Sequence, residues 1–188
     1  YTCPELHEKE IINAEKVDIF SLGVILFNLV TGRIGFGSTN NNAGGWESSS
    51  LRNYMNNTLY SRLPENIQNG IISTNVVSGH GQNDSDNFVT YDFLYAASPQ
   101  ELGITYNQDS ASTLTRTLDW YQTHTQYEDY IKNTTSGSAT AYWMRTVPND
   151  SGTYASVISS TGQTAALAAN SSNGIAALFR LGLDLDLD

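Results

Sequence analysis

Two tryptophan–arginine pairs hold the side chains best suited to chemistry in this chain: Trp46 with Arg52, and Trp143 with Arg145. An indole face and a planar guanidinium together stack on and hydrogen-bond a sugar ring or a peptide. The same residue types also serve as core and as ties between loops and backbone, and that second use is the stronger expectation. Asn149 and Asp150, in the run Val147-Pro148-Asn149-Asp150, complete the candidate ligand-binding set. With Asp84 and Asp86 they are also the oxygen donors from which a calcium site would be built. A hard cation asks for several carboxylate and carbonyl oxygens at once. Each of these loops offers only a pair of such side chains, so calcium is an optional ligand and no other cofactor is called for.

Catalytic groupings are harder to assemble. His7, His80 and His124 stand apart from one another, with no serine or cysteine placed as a nucleophile. Asp92, Glu101, Asp119, Glu128 and Asp129 supply carboxylates, but no spacing singles out the pair that glycoside hydrolysis needs. A hydrolase is therefore the last of the functional readings. The single cysteine, Cys3, excludes an internal disulfide and a Cys-rich metal site. A net charge of −10, with scattered Lys and Arg, makes nucleic acid a poor partner, because phosphate contacts need clustered positive charge. Charged residues are only 15% of the chain, while Asn, Ser, Thr, Gly and Tyr abound. Such a neutral, hydrogen-bonding surface is typical of secreted or virion proteins. Five Asn-x-Ser/Thr triplets begin at Asn56, Asn83, Asn133, Asn149 and Asn170, a number that chance supplies in a chain of this composition.

The elements that must position these groups follow from spacing. The chain of 188 residues suffices for one domain and an appendage. A glycine- and asparagine-rich loop at 35–45 separates the two parts. Residues 46–59 read as a helix capped by Ser48, Ser49 or Ser50, with Leu51, Tyr54, Met55 and Leu59 at helical intervals. A short helix follows at 64–70, with Pro64 in its first turn. Strands are expected at 71–77, 88–97 and 141–146, and a short helix starts at 98–103. A further helix is placed within 114–131, around Trp120, Tyr121, Tyr127 and Tyr130. Residues 154–158 and 163–168 flank Ser159-Ser160-Thr161-Gly162 as a hairpin, and 175–183 form one last strand. The alternating acidic tail, 184–188, suits an edge strand or a free end.

The first segment points elsewhere. Tyr1-Thr2-Cys3-Pro4-Glu5, followed by Val17-Asp18-Ile19-Phe20-Ser21-Leu22-Gly23-Val24 and closing on Thr31-Gly32, resembles a protein-kinase C-lobe. The resemblance covers the Pro-Glu motif and the central helix, residues 1–36. Phosphoryl transfer needs a Gly-rich phosphate cover, a strand lysine, a catalytic-loop Asp and a metal-binding Asp. A kinase carries all of these upstream of the Pro-Glu motif, so the resemblance implies ancestry without activity. A kinase-derived pseudoenzyme or regulatory fragment is the runner-up reading, and a fusion or assignment artefact is the alternative origin. Residues 17–30 leave no polar face, the mark of a buried helix. The run is shorter than the roughly 20 apolar residues that span a bilayer, so no transmembrane segment is expected.

The remainder resembles a different family. Trp46-Glu47-x-Ser49-x-Leu51-Arg52-x-Tyr54-x-Asn56, Tyr142-Trp143-Met144-Arg145-Thr146, Tyr154-Ala155-x-Val157 with Gly162, and Gly174-Ile175-Ala176-Ala177-Leu178 stand in one order. They are similar to an uncharacterised domain family of gut-bacterial surface proteins and phages. That family's usual Arg-Pro pair after Gly174-Ile175 is missing here. The resemblance implies an α+β, C-type-lectin-like fold, like that of formylglycine-generating enzymes, over residues 37–183. Two helices would pack on a twisted, mostly antiparallel sheet with long loops. It implies a non-enzymatic binding or structural module on a cell surface or virion, contacting a glycan, a protein or identical subunits.

Overall fold

The first helix among the described residues owes its start to Ser49. Its hydroxyl accepts the Arg52 backbone N–H at 3.0 Å and donates to the Trp46 carbonyl at 3.0 Å, so one side chain caps the helix and fixes the turn before it. The computed structural model describes residues 45–81, 86–148 and 153–182. The kinase-like run 1–36 with its expected helix, the calcium candidates Asp84, Asn149 and Asp150, and the tail 184–188 lie outside the described residues.

Helix α1, Ser50–Asn53, passes into a π-helical stretch, Tyr54–Leu59, and a 3-10 turn, Tyr60–Arg62. Leu51, Met55, Leu59 and Leu63 recur every four residues and are all buried. On an α-helix of 3.6 residues per turn a four-residue interval drifts by about 40° per step. The wider π turn drifts the opposite way, so the mixed helix keeps all four on one side. Leu63 is extended (ψ 152°), as the residue before a proline prefers, and the helix stops there. Helix α2, Glu65–Gly70, follows directly.

Strands β1 (Ile71–Ile72), β2 (Thr74–Gly79), β3 (Asn87–Asp92) and β4 (Tyr95–Ala96) come next. β2 and β3 form an antiparallel ribbon in which Val77 faces Val89 and Asn75 faces Tyr91. The expected strand at 88–97 is broken between β3 and β4 by a bend at Phe93 and Leu94. The expected helix at 98–103 is a hydrogen-bonded turn, ended by Gly103 at φ +71°. No helix spans 114–131 either. Two 3-10 turns, Ser112–Leu114 and Asp119–Gln122, precede the one-turn helix α3, Tyr127–Tyr130. The polar residues between the aromatics break the run. Asp129 accepts the Gln126 backbone N–H at 2.9 Å and starts a new helix instead of continuing the old one.

After β5 (Lys132–Asn133) and β6 (Ala139–Thr140), β7 (Tyr142–Trp143), β8 (Tyr154–Ile158) and β9 (Thr164–Ala168) build the largest sheet with β10 (Gly174–Ile175), in the order β10-β7-β8-β9. The β8–β9 hairpin is the one read from the sequence, with Ile158 opposite Thr164. Its turn needs glycine: Gly162 lies at φ +82°, and a Cβ there would fall 1.9 Å from the Tyr127 carbonyl oxygen.

The last described segment differs most from expectation. In place of one strand at 175–183 there are three short ones, β10, β11 (Ala177–Leu178) and β12 (Arg180–Leu181). β10 runs parallel to β7, β11 antiparallel to β4, and β12 antiparallel to β1. Ile175, Ala177, Phe179 and Leu181 are buried in strict alternation, so the period-two pattern holds while the pairing partner changes at every step. This segment stitches the larger core around Trp46, Leu51, Trp143 and Phe179 to the strands that enclose it. A second core gathers Tyr121, Tyr130, Tyr142, Met144 and Ile158. The architecture is α+β, with few helices and many short, mostly antiparallel strands. Among the described residues no helix is long and apolar enough to cross a membrane.

Candidate functional site

Both tryptophan–arginine pairs end on a buried charge. In the first, the charge is Asp92, fully buried at the end of β3. One of its oxygens accepts Trp46 Nε1–H at 2.9 Å and the Thr90 hydroxyl at 2.6 Å, and the other accepts Arg52 Nε–H at 2.7 Å. Arg52 also donates to the Glu47 carbonyl at 3.1 Å. One turn further along, the Asn56 amide donates to the Leu94 carbonyl at 2.8 Å and accepts from the backbone N–H groups of Phe93 and Leu94. Helix α1 and the π-helical stretch after it are thus fastened to the end of β3 and to the bend that follows by two side chains one turn apart.

In the second assembly the buried charge is Arg145, 1% exposed. Its guanidinium is paired at both terminal nitrogens with the Glu101 carboxylate, and it donates to the carbonyls of Ala96 at 3.0 Å and Val77 at 3.3 Å. The Tyr95 ring lies 5.9 Å from its central carbon. Glu101 is positioned by a reciprocal box: the Ser98 N–H donates to its carboxylate at 3.0 Å, and its own N–H donates to the Ser98 hydroxyl at 3.2 Å. Beside it, the Thr146 hydroxyl donates to Asp109 at 3.0 Å, and Asp109 accepts the Ala111 N–H at 3.0 Å. The 98–101 turn and the loop at 109–111 therefore converge on Arg145 and Thr146, which lie just past β7, since the strand expected at 141–146 is confined to Tyr142–Trp143.

Burial governs the titration here. Desolvation alone would pull Arg145 down, but the charge and hydrogen bonds of Glu101 outweigh it and hold the guanidinium above its ordinary range. Burial, assisted by the charge of Glu101, pushes Tyr95 up to about 12. Burial likewise raises Tyr121 to about 12 and Tyr142 well above the usual phenol value. Lys132 moves down, again because it is buried.

The profile of one family, described as Domain of unknown function (DUF6273), matches residues 23–183. The chain belongs to this family. The DUF6273 match takes in both assemblies and begins inside the apolar run 17–30. No curated protein and no solved structure matches the chain.

Within the DUF6273 domain, the sequence-based site residues fall into separate places. Trp46, Trp143 and Arg145 are at most 1% exposed, and the Arg52 side chain is 29% exposed. The Trp46–Arg52 and Trp143–Arg145 pairs serve two assemblies instead of one cleft. Asp86 is exposed just ahead of β3. The carboxylates weighed for hydrolysis are also dispersed. Asp92 and Glu101 hold the two assemblies, Asp119 pairs with Arg116 at 2.8 Å, and Asp129 caps α3. His80 sits 3.4 Å from Glu47 and stacks on Phe88, while His124 stacks on Trp120. Among the described residues no group of three His, Cys, Asp or Glu side chains is arranged to hold a metal ion.

Asp92, Glu101 and Asp109 as anchoring residues escape a reading based on spacing. Two signals point to the first two. Thr90 and Asp92 occupy alternate positions that face inward on β3, where a charge requires a partner. Ser98-Pro99-Gln100-Glu101 is a capping-box sequence, which aims the Glu101 carboxylate back at Ser98.

Proposed function

We propose that this chain is a non-enzymatic binding or structural module of C-type-lectin-like fold, displayed on a cell surface or virion. Its polar loops engage a glycan, a protein or a neighbouring subunit. The observation that carries the reading is the internal use of the motif chemistry. Asp92, Arg145 and Glu101 have their polar atoms engaged by groups within the chain. Catalysis needs a group aimed at a reacting atom, whereas these aim at backbone and at each other. They stiffen the scaffold beneath loops rich in Tyr, Asn and Ser, such as 106–113, the residue types that adaptable recognition surfaces favour.

The lectin-like assignment draws support from the order of elements. Among the described residues a helical segment comes first, short and mostly antiparallel strands follow, and a late strand, β12, returns to pair with the early strand β1. Rigid beds beneath irregular loops suit recognition, because order already present in the free protein lowers the entropy cost of binding. The deciding experiment is retention of the full chain on a panel of immobilised glycans, with calcium and with chelator, alongside sizing of the protein in solution. Saturable binding to one glycan class or a defined oligomer is the expected result. Turnover of a glycoside substrate, with neither binding nor assembly, overturns the reading.

A further inference from the structure

We infer that the crest of the loop at 102–117, residues 105–114, is a binding face for a neutral oligosaccharide, which rests on the binding role proposed above and gives it a site and a ligand class. The loop is closed at its foot. The Leu118 N–H donates to the Glu101 carbonyl at 2.9 Å, and the Thr117 hydroxyl donates to the Gln100 carbonyl at 3.0 Å. A compact surface loop whose ends meet in this way is an Ω-loop, a form that often carries function. Successive turns brace it from within: the Asp109 N–H donates to the Tyr106 carbonyl at 3.2 Å, and the Ser112 N–H to the Asp109 carbonyl at 3.2 Å. The Tyr106 hydroxyl donates to the Gln108 side chain at 2.9 Å.

The crest is also tied to the rest of the fold. Thr146, just past β7, holds Asp109. At the start of β3, the Ser110 hydroxyl donates to the Asn87 side-chain oxygen at 3.0 Å, and the Asn87 amide donates to the Ser110 carbonyl at 3.3 Å. Glu101 at the foot is the partner of Arg145, so the second buried assembly supports this same loop. What the crest presents is uncharged. Its single charged residue, Asp109, is 6% exposed and occupied by the Thr146 hydroxyl and the Ala111 N–H. Thr105, Asn107, Thr113 and Leu114 are exposed, and so is Asn87 at the adjoining strand end. Protein contacts are anchored by Trp, Tyr and Arg. The crest holds neither tryptophan nor arginine, and its one tyrosine, Tyr106, is half-buried. Sugar hydroxyls both donate and accept, which is the chemistry that amide and hydroxyl side chains match. A loop already braced in the free protein has little entropy left to lose on binding.

The test measures retention of the full chain on immobilised neutral mannose-, galactose- and glucose-type chains, with calcium and with chelator. Because the crest offers no exposed carboxylate, retention should be the same in both conditions. Asn107→Ala combined with Thr113→Ala, at exposed positions that the core does not use, should weaken it roughly tenfold. Thr135→Ala combined with Ser138→Ala removes exposed hydroxyls from the turn between β5 and β6 and should leave retention unchanged. Thr146→Val, which unties Asp109, should weaken retention several-fold, and Thr146→Ser should restore it. Retention that survives the Asn107 and Thr113 substitutions, or that requires calcium, overturns the inference while the binding role stands. Retention on no neutral chain overturns it as well, and a defined oligomer is then the form in which the proposed function survives.

Discussion

The two arginine–carboxylate assemblies invert one another. Around Asp92 the acid is the fully buried centre, collecting donors from an indole, a hydroxyl and a guanidinium, while Arg52 reaches it from a partly exposed position. Around Arg145 the base is the buried centre, distributing donors to a carboxylate and two backbone carbonyls. The difference shows what each charge is for. A buried acid gathers side chains and so fixes a helix against a strand. A buried guanidinium, with five N–H groups in a planar fork, satisfies backbone acceptors where strands end and chains turn. The ion pair is common to both, but the degree of burial decides how much stability each one commands.

The sharpest way to break this comparison is Arg145→Met. It strands Glu101 without its partner and leaves two carbonyls unsatisfied, so a loss of roughly 3–5 kcal/mol is expected in denaturant titration. Arg145→Lys should recover only part of it, because a single ammonium cannot bridge a carboxylate and two separate carbonyls. A loss below that of Arg52→Ala would refute the ranking by burial.

Alkaline unfolding sharpens the contrast, because Tyr95, beside Arg145, and Tyr121 and Tyr142, in the second core, are all raised. A folded pKa above the unfolded value means that the unfolded chain releases its proton first. The stability these groups contribute is complete below pH 10 and drains away as pH rises towards about 12. Lys132, lowered by burial, works in the opposite direction, since its charging penalty fades as pH rises. Tyr130 is raised as well, by burial and then by the charge of Asp129, so four tyrosines outweigh one lysine and net stability should fall across this window. Tyr121→Phe should flatten that fall by roughly 2–3 kcal/mol, read as stability against pH, and an unaltered profile would remove this cause.

Smaller effects fill in the scale. Arg52→Ala leaves Asp92 with Trp46 and Thr90, so a loss of roughly 1–2 kcal/mol is expected. Arg116→Ala removes an exposed pair with Asp119, its arginine side chain 80% exposed, and should shift stability by less than about 0.5 kcal/mol. A double-mutant cycle on each of the three pairs should rank them in the same order.

Much of the local structure is legible in the chain. Ser49 announces the start of α1, Pro64 the start of α2, and Ser159-Ser160-Thr161-Gly162 the β8–β9 turn, because caps and turns depend on residues close in sequence. The same holds for the box that presents Glu101, although a turn, and not a helix, results. Other features were not legible for a physical reason. The aromatics of 114–131 suggest one helix, yet Tyr121 stacks with Tyr130 across the break at 5.6 Å, a contact that no periodicity encodes.

From pattern alone come the caps, the hairpin and the alternating burial of Ile175, Ala177, Phe179 and Leu181, all set by local stereochemistry and the chain's own period, while the α+β class came from the resemblance of the motifs. Tertiary structure alone decided that this alternating run pairs successively with β7, β4 and β1, and that Trp46 meets Asp92 while Arg145 meets Glu101. Residues 46 positions apart meet only once the core has closed, and a buried charge selects its partner by which donors and acceptors the fold leaves within hydrogen-bond reach.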